Sequence, residues 1–145
     1  MITETVELTF TDAEGRPVTL AELRGGHRAA ALFFMRAGNC LACLRHARNL
    51  ASLPLAEDGV RAVVVVPGTP ADAARVRRTV GERVATVSST GAEAHLAVGL
   101  NRTLLLQHSG TLLVDSTGAV RYRLAATLPT GSFDGPALID AVRRL

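Results

Sequence analysis

A chain of 145 residues has the usual length of one domain, and its 48% hydrophobic and 20% charged residues exclude disorder and leave enough apolar mass for a sizeable core. No run approaches the roughly 20 apolar residues that span a bilayer, and the opening MITETVELTF is acidic, without the basic flank and apolar stretch of a signal peptide; a cytoplasmic setting with no membrane contact is expected. The formal charge of +3 arises from 16 basic residues, all arginine, so lysine chemistry and a phosphate loop with its lysine are excluded. Those arginines are scattered and only 3% of residues are aromatic, which argues against nucleic-acid binding.

In chain order, residues 5–10 (TVELTF) alternate as a short strand, and DAEGRP is turn material. Residues 28–36 (RAAALFFMR) are almost uniformly apolar, as in a strand buried on both faces. From about Leu41 to Ser52 the period changes to helical: Cys43, Leu44, Ala47, Leu50 and Ala51 share one stripe, with Arg45, Arg48 and Asn49 opposite. VRAVVVV (60–66) is a second buried strand. TPADAARVRRTVG is a helix with Thr69 as N-cap, Pro70 at its first position and Gly81 closing it. RVATVSS (83–89) is a strand and GAEAHLAVGL (91–100) a short helix. TLLVD, STG and AVRYRLA form a hairpin turning at Gly118, and a last helix starts near Asp134, with Leu138, Ile139, Val142 and Leu145 on one face. This order predicts an α/β fold in a single domain, 1–145, with a mostly parallel central sheet finished by an antiparallel pair and covered by helices.

The chain's two cysteines, Cys40 and Cys43, stand directly after a buried strand and in the first turn of the following helix, where Asn39 offers a side-chain cap. Unpaired amides and the helix dipole there favour a thiolate, and one helical turn brings two sulfurs within disulfide reach. Cys40 is expected at the exposed helix tip as the attacking thiol, and the more buried Cys43 as the resolving one. Arg36 either adds positive potential or is a solvent-facing strand end. Zinc would require further ligands, and only His46 is local. Two inert buried thiols are the plain alternative, but that leaves their shared place at a helix start without a reason. A Cys-x-x-Cys in a βαβ setting is the thioredoxin-like redox signature.

The segment LFFMRAGNCLACLRHARNL resembles the active-site segment of the peroxiredoxin-like (AhpC/TSA-type) branch of the thioredoxin superfamily. The likeness continues in FTDAEGRPVTLAELRGGHRAAALFF and in AHLAVGL followed by SGTLLVDSTGAVRYRLAA, nearly the whole chain in the right order. It implies a thioredoxin-like fold, a central mixed β-sheet with helices on both faces, and no cofactor or metal. It also implies a disulfide or peroxide substrate, and an electron donor such as thioredoxin or a low-molecular-weight thiol. A homodimer is compatible with it, although no residue identifies an interface.

The departures matter. Asn39 stands where a tryptophan is usual, and Leu41-Ala42 replace Pro-Tyr. Against the peroxiredoxin Pro-x-x-x-Thr-x-x-Cys motif, Cys43 falls on the cysteine, Cys40 on the threonine and Arg36 on the proline. The peroxiredoxin arginine falls at about Ser109, with Arg102 a candidate substitute, and His108, which precedes the strand facing the active site, is a candidate for substrate binding or electrostatic support. Gly110 occupies the place of the thioredoxin cis-proline, where it would admit a substrate backbone or simply begin a strand. His46, one turn beyond Cys43, is either a proton acceptor or a helix-flank side chain, and His27 and His95 are expected on the surface.

Two enzymatic readings follow: thiol–disulfide exchange through Cys40 and Cys43, and peroxide reduction through a sulfenic acid. A non-catalytic thioredoxin-fold binding or redox-sensing module is the alternative.

Overall fold

The computed structural model describes residues 4–145. A seven-stranded sheet runs in the order β2-β1-β5-β4-β3-β8-β9, comprising β1 (Thr9–Asp12), β2 (Pro17–Thr19), β3 (Ala29–Phe34), β4 (Val60–Val66), β5 (Ala85–Ser88), β8 (Ser109–Asp115) and β9 (Val120–Ala126). A separate small hairpin joins β6 (Arg102–Thr103) to β7 (Leu106–Gln107). The helices are α1 (Leu20–Arg24), α2 (Leu41–Ser52), α3 (Pro70–Val80), α4 (Glu93–Ala97) and α5 (Gly135–Arg143).

Only β3, β4 and β5 are parallel neighbours; β8 and β9 on one flank and β1 and β2 on the other run antiparallel. The sheet is therefore mixed rather than mostly parallel. The expected strand at 5–10 is displaced to Thr9–Asp12, because Leu8 and Phe10 must reach the core while the DAEGRP turn folds a second short strand, β2, back along it. α1 follows at once, its Thr19–Glu22 capping box satisfying the first turn.

The strand–helix grammar of the middle of the chain holds. β3 is buried along its whole length, paired on one side to β4 and on the other to β8. In α3, Thr69 caps the helix in a reciprocal box with Asp72, and Pro70 occupies the first turn. Asp134 caps α5 through Ala137 N–H.

Two apolar layers sandwich the sheet. Ala29, Ala31, Phe33 and Met35 of the β3 segment face α2, α3 and α5, packing with Cys43, Ala47, Leu50, Val76 and Leu138. Ala30, Leu32 and Phe34 face the other way, toward Leu20, Ala94, Val98 and Phe10. This alternation is the period of a strand covered on both sides, and it places α2 and α4 on opposite faces of the same strand end.

Candidate active site

β3 ends at Phe34, and Met35 N–H still donates to Val65 O at 2.9 Å. The chain then leaves the sheet, turns through residues 37–40 with Cys40 N–H on Ala37 O, and enters α2. Cys40 is itself the N-cap: its sulfur accepts the Cys43 backbone N–H at 3.4 Å. The expected cap, Asn39, is instead exposed, because the residue whose backbone stays extended ahead of the first helical turn is Cys40. Cys43 Sγ in turn accepts the Arg36 backbone N–H at 3.3 Å.

Cys40 is 5% exposed and Cys43 0%, so the first thiol is not the open helix tip expected, although the order of the two is as anticipated. Both are free thiols. Burial works against ionisation of Cys40, but hydrogen bonds from the Cys43 thiol and N–H, with the Arg36 guanidinium and its charge, bring Cys40 below its ordinary value. Burial pushes the Cys43 thiol up to about 12, helped by its hydrogen bond to Cys40 and by the charge there. The arrangement divides the labour, with Cys40 the ionisable thiol and Cys43 the proton-retaining one. Arg36 thus acts on both sulfurs, through its side chain on Cys40 and its backbone on Cys43.

A shallow cavity of about 440 Å³ lies beside the loop, lined by Ala37, Gly38, Asn39, Pro67, Asp72 and Arg75 among others. Asn39 lines it, whereas neither Cys40 nor Cys43 does.

The other anticipated residues fall elsewhere. His108 is tied to Thr103 Oγ1 at 2.6 Å at the base of the β6–β7 hairpin, and none of its hydrogen bonds reaches a cysteine. Gly110 is buried opposite Phe34; a Cβ there would lie 2.5 Å from Leu124 O and 3.2 Å from Leu100 Cδ2, so close packing against β9 accounts for the glycine. Ser109, at the position of the peroxiredoxin arginine, is fully buried with no partner for its Oγ, and Arg102 is exposed on β6. His46 packs edge-on to Phe33 and meets Pro129 O at 2.9 Å through Nε2, which ties α2 to the 129–131 turn. Among the described residues no group of three His, Cys, Asp or Glu side chains is placed to hold a metal, and no helix is long and apolar enough to cross a membrane.

His95 is the residue the sequence reading misplaced. It is completely buried rather than on the surface, with Nε2 2.8 Å from Met35 O and Nδ1 2.8 Å from Ser89 Oγ. The available signal was its position on the apolar stripe of α4, one residue after Ala94 and three before Val98, both buried.

The model of the AhpC/TSA family matches residues 3–123. No curated protein sequence matches the chain. Among solved structures, a peroxiredoxin-like protein from Aquifex aeolicus superposes with a TM-score of 0.82 at 12% identity, over 98% of this chain and 85% of that one. Peroxidoxin BcpB from Mycobacterium tuberculosis gives 0.78 at 19% identity, over 99% and 96%. A secreted disulfide oxidoreductase, also from Mycobacterium tuberculosis, gives 0.66 at 16% identity, over 95% and 96%. At these identities the likeness establishes the fold, which is that of thioredoxin-like proteins with a mixed central sheet.

Proposed function

This chain belongs to the AhpC/TSA family, and from that premise we propose that it is a thiol-dependent oxidoreductase in which Cys40 attacks and Cys43 resolves. Family membership supports thiol redox chemistry in general. The finer reading rests on one observation: of two adjacent thiols, Cys40 sits under the Cys43 N–H and beside Arg36 with its ionisation favoured, while burial pushes Cys43 up to about 12.

The Cys40 thiolate attacks one sulfur of a substrate disulfide and forms a mixed disulfide, and the other sulfur leaves as a thiolate that takes up a proton. Cys43 then loses its proton, attacks the Cys40 sulfur and releases the second substrate thiol. The protein ends as a Cys40–Cys43 disulfide, two electrons having passed to the substrate. An external thiol donor, a thioredoxin or a low-molecular-weight thiol, returns them. With a peroxide, the thiolate would instead take one oxygen, releasing an alcohol or water, and the resulting sulfenic acid would condense with the second thiol to give water and the same disulfide.

Disulfide exchange stands ahead of peroxide reduction. The cysteine at the peroxiredoxin position is Cys43, the thiol whose ionisation is suppressed, and the residues at the accompanying threonine, proline and arginine positions are Cys40, Arg36 and Ser109. Asn39, exposed next to Cys40 in the chain, is assigned to the substrate side of the loop, and a reducing cytoplasm is the proposed setting.

The test is stopped-flow loss of thiols from the reduced protein and from Cys40→Ser and Cys43→Ser, against hydrogen peroxide and against a small disulfide. Fast exchange that disappears in Cys40→Ser and stalls as a mixed disulfide in Cys43→Ser is expected. Fast peroxide consumption through Cys43 would reverse the assignment. Reaction no faster than that of an ordinary thiol with either reagent would leave a non-catalytic binding or sensing module.

A further inference from the structure

The buried histidine and the buried cysteine lie on opposite faces of the sheet, yet they hold the two ends of one peptide. His95 belongs to α4, whose Ala94, with Val98 just after the helix, packs in the layer of Phe34 and Leu32; Cys43 belongs to the opposite layer with Met35 and Phe33. Between them is the Met35–Arg36 peptide, the first beyond the β3–β4 ladder. Its carbonyl oxygen lies 2.8 Å from His95 Nε2, and its N–H donates to Cys43 Sγ at 3.3 Å. In a planar trans peptide the C=O and N–H point in opposite directions, so a clamp on the oxygen from one face aims the hydrogen at the other.

The protonation of the ring follows from its partners. A carbonyl oxygen only accepts, so Nε2 carries the proton. In the neutral ring Nδ1 is then an acceptor, and the Ser89 hydroxyl donates to it at 2.8 Å while accepting the His95 backbone N–H at 3.1 Å. Phe34 packs edge-on against the ring with centroids 5.1 Å apart and closes the pocket. Burial lowers the His95 pKa to about 4, which keeps this neutral form at physiological pH. Every polar atom of the side chain is thus committed to holding one carbonyl.

We propose that His95 is a positioning residue for the thiol pair: by clamping the Met35 carbonyl it aims the Arg36 N–H at the Cys43 sulfur and sets where Arg36 leaves the sheet. The inference rests on the redox reading of Cys40 and Cys43. Its consequence falls on the second step of the reaction, when Cys43 must give up its proton and attack. The Arg36 N–H is the larger of two backbone donors, with that of Ala37, that favour the anionic Cys43 sulfur against the burial that disfavours it. Without the clamp the peptide is free to rotate, that donor is lost, and resolution slows more than the first attack by Cys40.

Three variants test this: His95→Leu removes the donor and keeps the bulk, His95→Gln restores an N–H toward Met35 O, and Ser89→Ala leaves the ring but frees its tautomer. Two readouts are taken on the full chain, namely amide hydrogen exchange at Arg36 in the reduced protein and the two phases of single-turnover reaction with a small disulfide. In His95→Leu, Arg36 exchange should accelerate and the resolving phase slow, each by about tenfold, the worth of one hydrogen bond. The first phase should change less than about threefold, and His95→Gln should recover both quantities. If His95→Leu does not fold, Ser89→Ala carries the test, with the same two changes in smaller measure. Unchanged Arg36 exchange and unchanged resolution in the folded variants would overturn the proposal, as would equal slowing of both phases in His95→Leu and His95→Gln. If the parent protein shows neither phase, the redox reading has failed instead, and Arg36 exchange alone decides whether His95 holds the peptide.

Discussion

The backbone N–H of Cys43 points at the sulfur of Cys40, 3.4 Å away, so the residue that retains its own proton helps its neighbour to lose one. The two thiols differ because the strand-to-helix turn gives them different surroundings. Cys40 has an amide of the helix's first turn, that of Cys43, and the Arg36 side chain, whereas Cys43 lies deeper in the apolar layer that both share.

That difference should be visible as two separate ionisations. Following the ultraviolet absorbance of the thiolate against pH, we expect a first step below the ordinary thiol value that is absent from Cys40→Ser, and a second near 12. The rate of reaction with a small disulfide should rise with pH through the first step and level above it. A single step shared by both cysteines, or a first step that survives in Cys40→Ser, would contradict the assignment.

Arg36→Gln removes the guanidinium from Cys40 but leaves the backbone N–H on Cys43. Because Arg36 is partly solvent-exposed, the effect should be modest: the Cys40 pKa rises, and initial attack at neutral pH slows by roughly twofold to fivefold. The rate should recover at higher pH. Loss of rate that persists at high pH would mean that Arg36 binds substrate rather than the thiolate.

His95 makes folding sensitive to acid. The unfolded chain protonates histidine near 6.5, the folded protein only near 4, so between these values the unfolded state binds more protons. Stability is complete above pH ~6.5 and falls as the pH drops toward 4, by about 3 kcal/mol in total. Urea unfolding at neutral and mildly acidic pH should show this decline, and His95→Leu should flatten it. An equally steep decline in that variant would assign the acid sensitivity to other groups.

Gly110→Ala tests the packing account of this glycine. The added methyl would lie 2.5 Å from Leu124 O and 3.2 Å from both Ala125 Cα and Leu100 Cδ2, so β8 and β9 must separate locally. A loss of about 1–3 kcal/mol in unfolding free energy is expected. If the variant were fully stable but bound substrate poorly, Gly110 would belong to the binding surface after all.

Much of the fold was legible because local chemistry and tertiary context agree. The unbroken apolar run 29–34 can be satisfied only with cover on both faces, and Thr69, Pro70 and Gly81 mark the ends of α3 whatever lies around them. The antiparallel edge was less readable: β2 has three residues and α1 five, too short for a periodic pattern to emerge. The β6–β7 hairpin has two residues a side and was invisible for the same reason.

At the site, the sequence by itself determined the two sulfurs, their spacing and their place at the start of a helix, because a Cys-x-x-Cys after a buried strand depends only on order and period. The apolar stripe also marked Cys43 as the more buried of the two, and tertiary structure decided how each sulfur is held. Whether Asn39 or Cys40 caps α2 depends on which backbone stays extended, and whether His108 or His95 reaches the end of β3 depends on which segments meet in space. His95 and Met35 are sixty residues apart in the chain and 2.8 Å apart in the fold, and hydrogen bonding acts over the second distance.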